Sequence, residues 1–342
     1  MQACQKVGVD LGWRCNAHCP FCFYARDPHL RTPQDTPIED IYAKIEKARA
    51  GGLTQCVIVG YGEPTLSPHF LPVVDHCREQ NMPVSVITNG TTGLKRYEEF
   101  FDHGGDHLHI SSHGMGDTLD GIMGINGAFK KQAELKTWLM ANDLPFRTNV
   151  TMMQQNYREL VELAAYEISM GVKHFVFLGF IPIYEWSTDR QRVHDIGVHP
   201  AALRQQIEPA ARLLLEAGVY IDIRYVPYCH IHPDLWPYVT NARHVFVSTF
   251  EWNYELQSTN LPSLWDASKR IGDGLAVKGR PCSLCNAYRH CGGWNAKYAA
   301  AFGGADLHAI TEVPKQYQEV WDKECGMHDL NPVNQHSGIL RA

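Results

Sequence analysis

The sequence has no apolar run long enough to cross a membrane. A helix that spans a bilayer needs about 20 consecutive apolar residues, whereas the most hydrophobic stretch, residues 176–184, is interrupted by Gly179 and Pro182. The amino terminus also lacks the basic start and the long apolar centre of a secretion signal. We therefore expect a cytoplasmic protein that does not bind membranes.

A strong excess of one charge is also missing. The 31 Lys and Arg residues and the 37 Asp and Glu residues give a formal net charge of −6 over 342 residues. A mildly acidic chain has little attraction for phosphate backbones, which argues against nucleic-acid binding. With 44% hydrophobic and 20% charged residues, the composition is that of a globular protein with a large core.

Cysteine, in contrast, is abundant, with 11 residues. Six of them form two tight groups in loop-like sequence: Cys15, Cys19 and Cys22, then Cys282, Cys285 and Cys291. Thiols this close rarely have disulfide geometry with one another, but they converge readily on a metal or a cluster. Cys56 and Cys77 lie in strand-like and helix-like segments, where we expect buried apolar side chains.

Short apolar or β-branched runs alternate with amphipathic stretches between residue 6 and about residue 180. The predicted strands are Lys6–Leu11, Gln55–Val59, Val84–Thr88, His107–Ser111, Phe146–Thr151 and Lys173–Leu178. The predicted helices cover roughly residues 37–50, 68–80, 95–103, 127–142 and 157–170. Strands that are joined by crossover helices form a parallel sheet, either closed into a barrel or open and wound.

The chemically unusual residues lie on the predicted strands or follow their ends. The first three strands are followed by the cysteines of residues 15–22, by Gly60, Tyr61, Gly62, Glu63 and Pro64, and by Thr88, Asn89 and Gly90. The later strands carry Ser111 and Ser112, then Arg147, Asn149 and Thr151, then Gly179. Because parallel α/β folds place active sites at the carboxyl ends of their strands, we expect one site at this rim.

The first cysteine group offers three thiolates from one loop. A zinc site usually has four protein ligands, or three and a water molecule, and its loops usually pair cysteines at Cys-x2-Cys spacing. Three cysteines on one loop suit a 4Fe–4S cluster better, because the fourth iron can then bind an external ligand. His18 lies inside this loop and is expected near the cluster rather than bound to it.

The combination of Cys15-x3-Cys19-x2-Cys22 with Gly60–Pro64 and Thr88–Gly90 resembles the radical S-adenosylmethionine (SAM) superfamily. The likeness covers roughly residues 6–180 and implies an α/β fold with a partial (β/α)6, TIM-like barrel. It also implies a 4Fe–4S cluster that binds SAM and cleaves it to methionine and a 5′-deoxyadenosyl radical, which takes a hydrogen atom from the substrate. An electron donor such as a flavodoxin or ferredoxin would be a partner.

The resemblance also implies roles for single residues. Phe23 would lie against adenine, the main chain of Gly60–Pro64 would bind the methionine amine, and Ser111 or Ser112 would reach the SAM carboxylate or ribose. Many relatives carry an Arg shortly after the fourth strand, but residues 120–124 have none. Arg147 would replace it, or the carboxylate would rest on hydroxyls alone. The remaining candidates for cofactor binding are Thr88, Asn89, Asn149 and Gly179.

The second cysteine group is similar to the SPASM extension of the same superfamily, which carries auxiliary iron–sulfur clusters. This chain has fewer cysteines than the full extension, since Trp294 and Asn295 follow Cys291-Gly-Gly, so one further 4Fe–4S cluster is implied. Its ligands would be Cys282, Cys285 and Cys291, with either Cys229 or Cys325 as the fourth. We favour Cys229, which directly follows a strand-like segment. A zinc knuckle is the competing interpretation.

These assignments predict a radical SAM barrel over residues 1–195, a bridging helix and strand over 196–225, and an auxiliary cluster domain over 226–342. Only 14 residues precede Cys15 and no cobalamin-binding domain is evident, so we expect an enzyme that acts on a small metabolite. The auxiliary cluster would accept an electron in an oxidation, although a redox-neutral outcome stays open. The alternatives are a maturase that modifies a peptide and, from another class, a non-enzymatic iron–sulfur or zinc protein.

Overall fold

The computed structural model describes residues 6–22, 35–60, 62–182, 189–240, 276–288, 291, 293–303 and 307–315. Its main feature is a parallel sheet of eight strands that lie side by side in the order of the sequence. The strands are β1 (Lys6–Asp10), β2 (Gln55–Val59), β3 (Val84–Thr88), β4 (His107–Ser111), β5 (Phe146–Met152), β6 (His174–Gly179), β7 (Tyr220–Arg224) and β8 (Val239–Thr240). The six strands predicted from sequence are confirmed to within one residue at each end.

Helices connect these strands and cover one face of the sheet. They are α1 (Ile38–Ala50), α2 (Phe70–Glu79), α3 (Leu94–Asp102), α4 (Gly116–Met123), α5 (Ala128–Ala141), α6 (Leu160–Ser169), α7 (Arg190–Ile196) and α8 (Pro200–Glu216). None of the helices in the described ranges is long and apolar enough to cross a membrane.

Alternate strand residues face the helices and form the core. In β2 these are Cys56 and Ile58, and in β7 they are Ile221 and Ile223, all at most 1% exposed. Cys77 of α2 is fully buried in the same core, which confirms the apolar packing expected for Cys56 and Cys77. The intervening residues of each strand face the opposite side, which is the interior of the partial barrel.

The sheet extends beyond the six predicted strands. β7 pairs in parallel with β6, with Phe175 opposite Ile221, and β8 follows it. The preceding helix, α8, begins with Pro200 at its first position and buries a stripe that includes Leu203, Ile207 and Leu214. Residues 196–225, where we expect a bridging helix and strand, hold α8 and β7, and β7 adds a strand to the sheet.

The described carboxyl-terminal residues pack against the barrel. β9 (Ala276–Val277) pairs antiparallel with β10 (Trp294–Asn295), and α9 (Ala296–Phe302) follows. The Asn295 side chain caps α9, and the Tyr298 hydroxyl exchanges hydrogen bonds with the main chain of Val198, accepting from its N–H at 2.7 Å. This contact joins α9 to the segment between α7 and α8.

Candidate functional site

The first cysteine group forms a compact loop directly after β1. The Asp10 carboxylate accepts a hydrogen bond from Gly12 N–H at 3.0 Å and starts the turn. The Ala17 N–H points at Cys15 Sγ at 3.4 Å. Burial, and then the charges of Glu63 and Cys22, raise the pKa of Cys15 to about 11; burial, and then the charges of Cys22 and Cys15, raise that of Cys19 to about 12. The Cys22 N–H donates to Cys19 O at 3.1 Å, so the last two cysteines of the loop lie on one tight turn.

Hydrogen bonds fasten this loop to the ends of neighbouring strands. The Asn16 side chain donates to Thr91 Oγ1 at 2.9 Å and accepts from Asn89 Nδ2 at 2.8 Å. The His18 N–H donates to Met123 O at 2.7 Å. The cysteine loop is thus held against the loop after β3 and the end of α4, as expected for a single site at the strand rim.

Gly60 and Gly62 let the turn after β2 approach the cysteine loop. A Cβ atom on Gly62 would lie 2.2 Å from Arg14 O, and a Cβ on Gly60 would lie 2.5 Å from Gly62 O. Neither space admits a side chain. The Glu63 N–H donates to Arg14 O at 2.6 Å, so the two segments share a main-chain hydrogen bond. Phe23 and Tyr61 lie outside the described residues.

Glu63 is the central link of the rim. Its buried carboxylate accepts hydrogen bonds from Thr65 Oγ1 at 2.6 Å, from Thr88 Oγ1 at 2.7 Å and from Asn89 N–H at 2.6 Å. Burial raises the pKa of Glu63, while these donors act in the opposite direction. The carboxylate therefore ties the ends of β2 and β3 together. Pro64 follows it as the first residue of a short 3-10 helix.

The side chains of Thr88 and Asn89 form hydrogen bonds with the same group of loops. The Asn89 amide donates to Asn16 and accepts from the Thr91 N–H at 3.0 Å and from the Thr91 hydroxyl at 2.7 Å. Thr88 Oγ1 accepts from the Gly90 N–H at 3.0 Å. The side chains of Glu63, Thr88 and Asn89 therefore hold the loops in place.

Ser111 and Ser112 differ in direction. The Ser112 hydroxyl lies on the helix side, where it donates to Gln132 Oε1 at 2.5 Å and accepts from Lys136 Nζ at 2.7 Å. Ser111 is the last residue of β4 and follows Ile110, a core residue, so its side chain faces the barrel interior. Of the two serines, the geometry favours Ser111 as the hydroxyl available to a ligand.

Sequence reasoning missed a buried polar network behind Ser112. Lys136 Nζ lies 2.5 Å from Glu167 Oε1, with both side chains at most 1% exposed, and Thr148 Oγ1 donates to Glu167 Oε2 at 2.8 Å. Gln132 Nε2 donates to Asn89 O at 2.7 Å. A signal was present in the sequence, because Gln132 and Lys136 are four residues apart in line with the apolar positions of α5.

Arg147 lies far from the rim. It is the second residue of β5 and is level with His109 and His174. Burial, and then the charges of Arg147 and of Lys6 at the start of β1, lower the pKa of His107 to about 4. These basic residues gather at the amino ends of the strands. The carboxyl end of β5 is about 16 Å further along the strand, at about 3.3 Å per residue. This placement corrects the expectation that Arg147 binds the SAM carboxylate.

Asn149 and Asp222 face the barrel interior from β5 and β7, on either side of Val176. Among the described residues, Asn149 Oδ1 and Asp222 Oδ1 are buried acceptors without a hydrogen-bond partner, although Asp222 Oδ2 accepts from Arg224 Nε at 2.7 Å. Buried polar atoms in native proteins usually have partners, so both oxygens are available to a ligand or to water. Asp222 was not among our candidates.

Gly179 has a packing role at the end of β6. A Cβ atom there would lie 2.9 Å from Tyr225 O, so glycine lets the ends of β6 and β7 approach each other. Tyr225 itself adopts a left-handed φ of 64°, which turns the chain sharply after β7. This turn leads directly to Cys229.

The second cysteine group forms a separate cavity. Its wall includes the thiols of Cys229, Cys282, Cys285 and Cys291. Burial, and then the charges of the other three thiols, raise the pKa of Cys229 to about 12. The structure thus places Cys229, the fourth ligand that we favour from the sequence, beside Cys282, Cys285 and Cys291. Cys325 lies outside the described residues.

Main-chain amides surround the four sulfur atoms. The N–H of Ile310 donates to Cys285 Sγ at 3.3 Å, and that of Gly293 donates to Cys291 Sγ at 3.4 Å. The N–H groups of His308 and Gly279 act in the same way on Cys229 and Cys282. Such donors stabilise sulfur that carries negative charge. Within the described ranges, no three His, Cys, Asp or Glu side chains are arranged to hold one metal ion directly.

Comparison with known proteins gives one family. The family model of the Radical SAM superfamily matches residues 11–166. The chain is 24% identical over 230 residues to the PqqA peptide cyclase of Methylocella silvestris, and the match covers 66% of this chain and 60% of that protein. It is 23% identical over 229 residues to the tungsten-containing aldehyde ferredoxin oxidoreductase cofactor-modifying protein of Pyrococcus furiosus, covering 64% and 62%. The chain thus spans about three fifths of the length of these curated relatives.

The fold is shared with a solved structure of native anSMEcpe with bound AdoMet. The TM-score is 0.60 at 14% identity, over 97% of this chain and 99% of the other. The matched family segment begins after β1 and includes the cysteine loop, the Gly60–Pro64 turn and the Asn89 loop, which are the parts that the structure brings together at the rim. Residues 11–166 are therefore similar to the Radical SAM superfamily.

Proposed function

We propose that the protein is a radical SAM enzyme that modifies a peptide, with one cluster at the strand rim and an auxiliary cluster beside it. The observation that carries this proposal is that the loop of Cys15, Cys19 and Cys22 is hydrogen-bonded to the Gly60–Pro64 turn, through Arg14 O and the Glu63 N–H. Three thiols on one loop fit a 4Fe–4S cluster with an open iron. When bound, such a cluster supplies the electron that cleaves SAM to a 5′-deoxyadenosyl radical.

The protein residues at the rim would hold and orient the ligands. Glu63 fixes the main chain of the Gly60–Pro64 turn, which would present its polar groups to the methionine part of SAM. Ser111 would offer a hydroxyl from the end of β4. The hydrogen bond between the Asn16 and Asn89 side chains holds the cysteine loop at a fixed distance from the loop after β3. This preorganisation aligns the reacting groups before the substrate arrives.

The residues of the second cavity fit an auxiliary 4Fe–4S cluster. Four thiols provide a complete set of ligands, and the N–H groups of Gly293 and Ile310 donate to two of them. A structural zinc ion also accepts four thiolates, about 2.3 Å from one centre, so the metal content of the protein distinguishes the two sites. With four cysteine ligands, the auxiliary cluster would transfer electrons rather than bind the substrate.

A peptide is the better-supported substrate. The first relative is a peptide cyclase by name, whereas a small metabolite, which the sequence led us to expect, has no comparable support. The unpartnered oxygens of Asn149 and Asp222 in the barrel interior suit the N–H donors of a peptide or of an amide side chain. Oxidation with the auxiliary cluster as electron acceptor is the simplest use of two clusters in one chain.

The experiment that tests this function starts with anaerobic reconstitution. Two clusters require about eight irons and eight sulfides per chain, and dithionite should then release 5′-deoxyadenosine and methionine from SAM. Cys15→Ala, Cys19→Ala or Cys22→Ala should abolish this release and leave the auxiliary iron in place. Undiminished release in these variants would contradict the assignment. Incubation with short peptides encoded beside the gene, followed by mass spectrometry, would decide between peptide and metabolite.

A further inference from the structure

Lys278 is the cationic side chain in the wall of the four-thiol cavity among the described residues. It follows β9 and precedes Cys282 by four residues. Its Nζ donates to Tyr288 O at 2.5 Å and lies 3.8 Å from the centre of the Tyr288 ring, which belongs to the same wall. A hydrogen bond and a cation–π contact thus hold the ammonium group in one place.

The ammonium group of Lys278 belongs to the same cavity wall as the four cysteines. The cavity is partly buried, so this charge is screened less than it would be at the surface. Arg280, two residues further on, is exposed and is not part of the cavity wall.

We propose that Lys278 is a positioning residue that raises the reduction potential of the auxiliary cluster. The inference depends on the four-thiol cluster of the proposed function. Reduction adds one electron to the cluster without a proton, and a fixed cation at the wall stabilises the more negative, reduced form. The contact with Tyr288 keeps the ammonium group beside the cavity instead of letting it extend into water.

The test is a redox titration of the auxiliary cluster, followed by electron paramagnetic resonance. The full chain is used with Cys15, Cys19 and Cys22 replaced by Ala, so that only this cluster gives a signal. We expect Lys278→Gln to lower the ratio of reduced to oxidised cluster about tenfold at a fixed potential, which corresponds to a midpoint about 59 mV more negative. Lys278→Arg should stay near the parent value, and Arg280→Gln is the matched control that should not shift it.

Tyr288→Leu provides a second measurement that leaves the charge in place. Removing the ring should release Nζ and shift the midpoint in the same direction, by less than Lys278→Gln does. Full iron content with an unchanged potential in both Lys278→Gln and Tyr288→Leu would overturn the role of Lys278. If Lys278→Gln does not retain iron, the result for Tyr288→Leu decides. Parent protein without iron at the four cysteines would overturn the auxiliary cluster itself, so the two failures are distinguishable.

Discussion

At the scale of single residues, the loops at the strand rim are held together by the missing side chain of Gly62 and by the carboxylate of Glu63. Arg14 O occupies the space that a side chain on Gly62 would fill. The Glu63 carboxylate lies inside the turn and accepts hydrogen bonds from several donors. The Gly60–Pro64 motif therefore acts first as a joint between β2, β3 and the cysteine loop.

Gly62→Ala should destabilise the protein. The new Cβ would lie 2.2 Å from Arg14 O, and the clash must move one of two hydrogen-bonded loops. We expect a loss of about 1–3 kcal/mol in the free energy of unfolding, typical of overpacking, measured by urea denaturation. The control is Gly121→Ala in α4, where nothing lies within 4 Å. Alanine there should be neutral or stabilise the helix by about 0.5–1 kcal/mol. Equal effects at both glycines would contradict the close approach.

His113 should make the stability fall in acid. Burial lowers its pKa to about 3, and its Nδ1 accepts a hydrogen bond from the Thr151 N–H at 3.2 Å. A folded pKa below the unfolded value means that the unfolded state binds the proton first as the pH falls. The stabilisation from neutral His113 is therefore complete above about pH 6.5 and is lost progressively toward pH 3.

The measurement is the free energy of unfolding at several pH values between 7.5 and 4.5. His113→Gln should show a weaker decrease with falling pH than the parent protein. The exposed His199 provides the control, because His199→Gln should leave the pH dependence unchanged. A parallel pH dependence in the parent and in His113→Gln would refute the argument.

At the scale of elements, α5 and α6 hold the sheet through a buried polar network as well as apolar contacts. Lys136 of α5 and Glu167 of α6 meet behind β4 and β5, where Ser112 and Thr148 complete their hydrogen bonds. Gln132 extends the network to the main chain of Asn89 and Ser111. The helix layer is thereby coupled to two loops of the candidate site.

Lys136→Met should be strongly destabilising. It leaves the Glu167 carboxylate buried without its cation, which typically costs about 3–5 kcal/mol. Lys136→Met with Glu167→Leu should recover part of this loss, because no uncompensated charge remains. A double-mutant cycle in urea measures the coupling. Additive effects of the two substitutions would mean that the ion pair contributes nothing of its own.

At the scale of the whole molecule, the chain places two cysteine sites around one sheet. One follows β1, and the other joins the turn after β7 to Cys282, Cys285 and Cys291. The sharp turn at Tyr225 directs Cys229 toward the second site. The segment that follows β7 thus supplies the Cys229 thiol to the wall of a cavity whose other three cysteines come from the carboxyl-terminal part of the chain.

The fourth auxiliary ligand can be tested directly. Cys229→Ala should leave a labile auxiliary cluster with reduced iron content, because only three thiols remain. Cys325→Ala should cost about 1 kcal/mol or less in stability, typical of changes away from special sites. Both are compared by iron content and spectra with Cys15, Cys19 and Cys22 replaced by Ala. Normal iron in Cys229→Ala, together with its loss in Cys325→Ala, would show that Cys325 is the ligand.

The sequence by itself determined the order of the elements and the rim at which the site lies. Strand limits such as Val84–Thr88 were predictable because alternation and helical periodicity are local properties. The cysteine spacing and the position of the Gly60–Pro64 motif after β2 were equally local. These local patterns were enough to predict the parallel sheet, the position of the first cysteine group and the resemblance to the family.

Tertiary structure alone decided which partners single side chains meet. Ser112 bonds to Gln132 and Lys136, and Arg147 lies level with His109, because these outcomes depend on helix packing and on the register between neighbouring strands. The meeting of Cys229 with Cys291 joins positions that are distant in the sequence. No local pattern encodes such a distance, since it results from the packing of the complete sheet against the carboxyl-terminal segment.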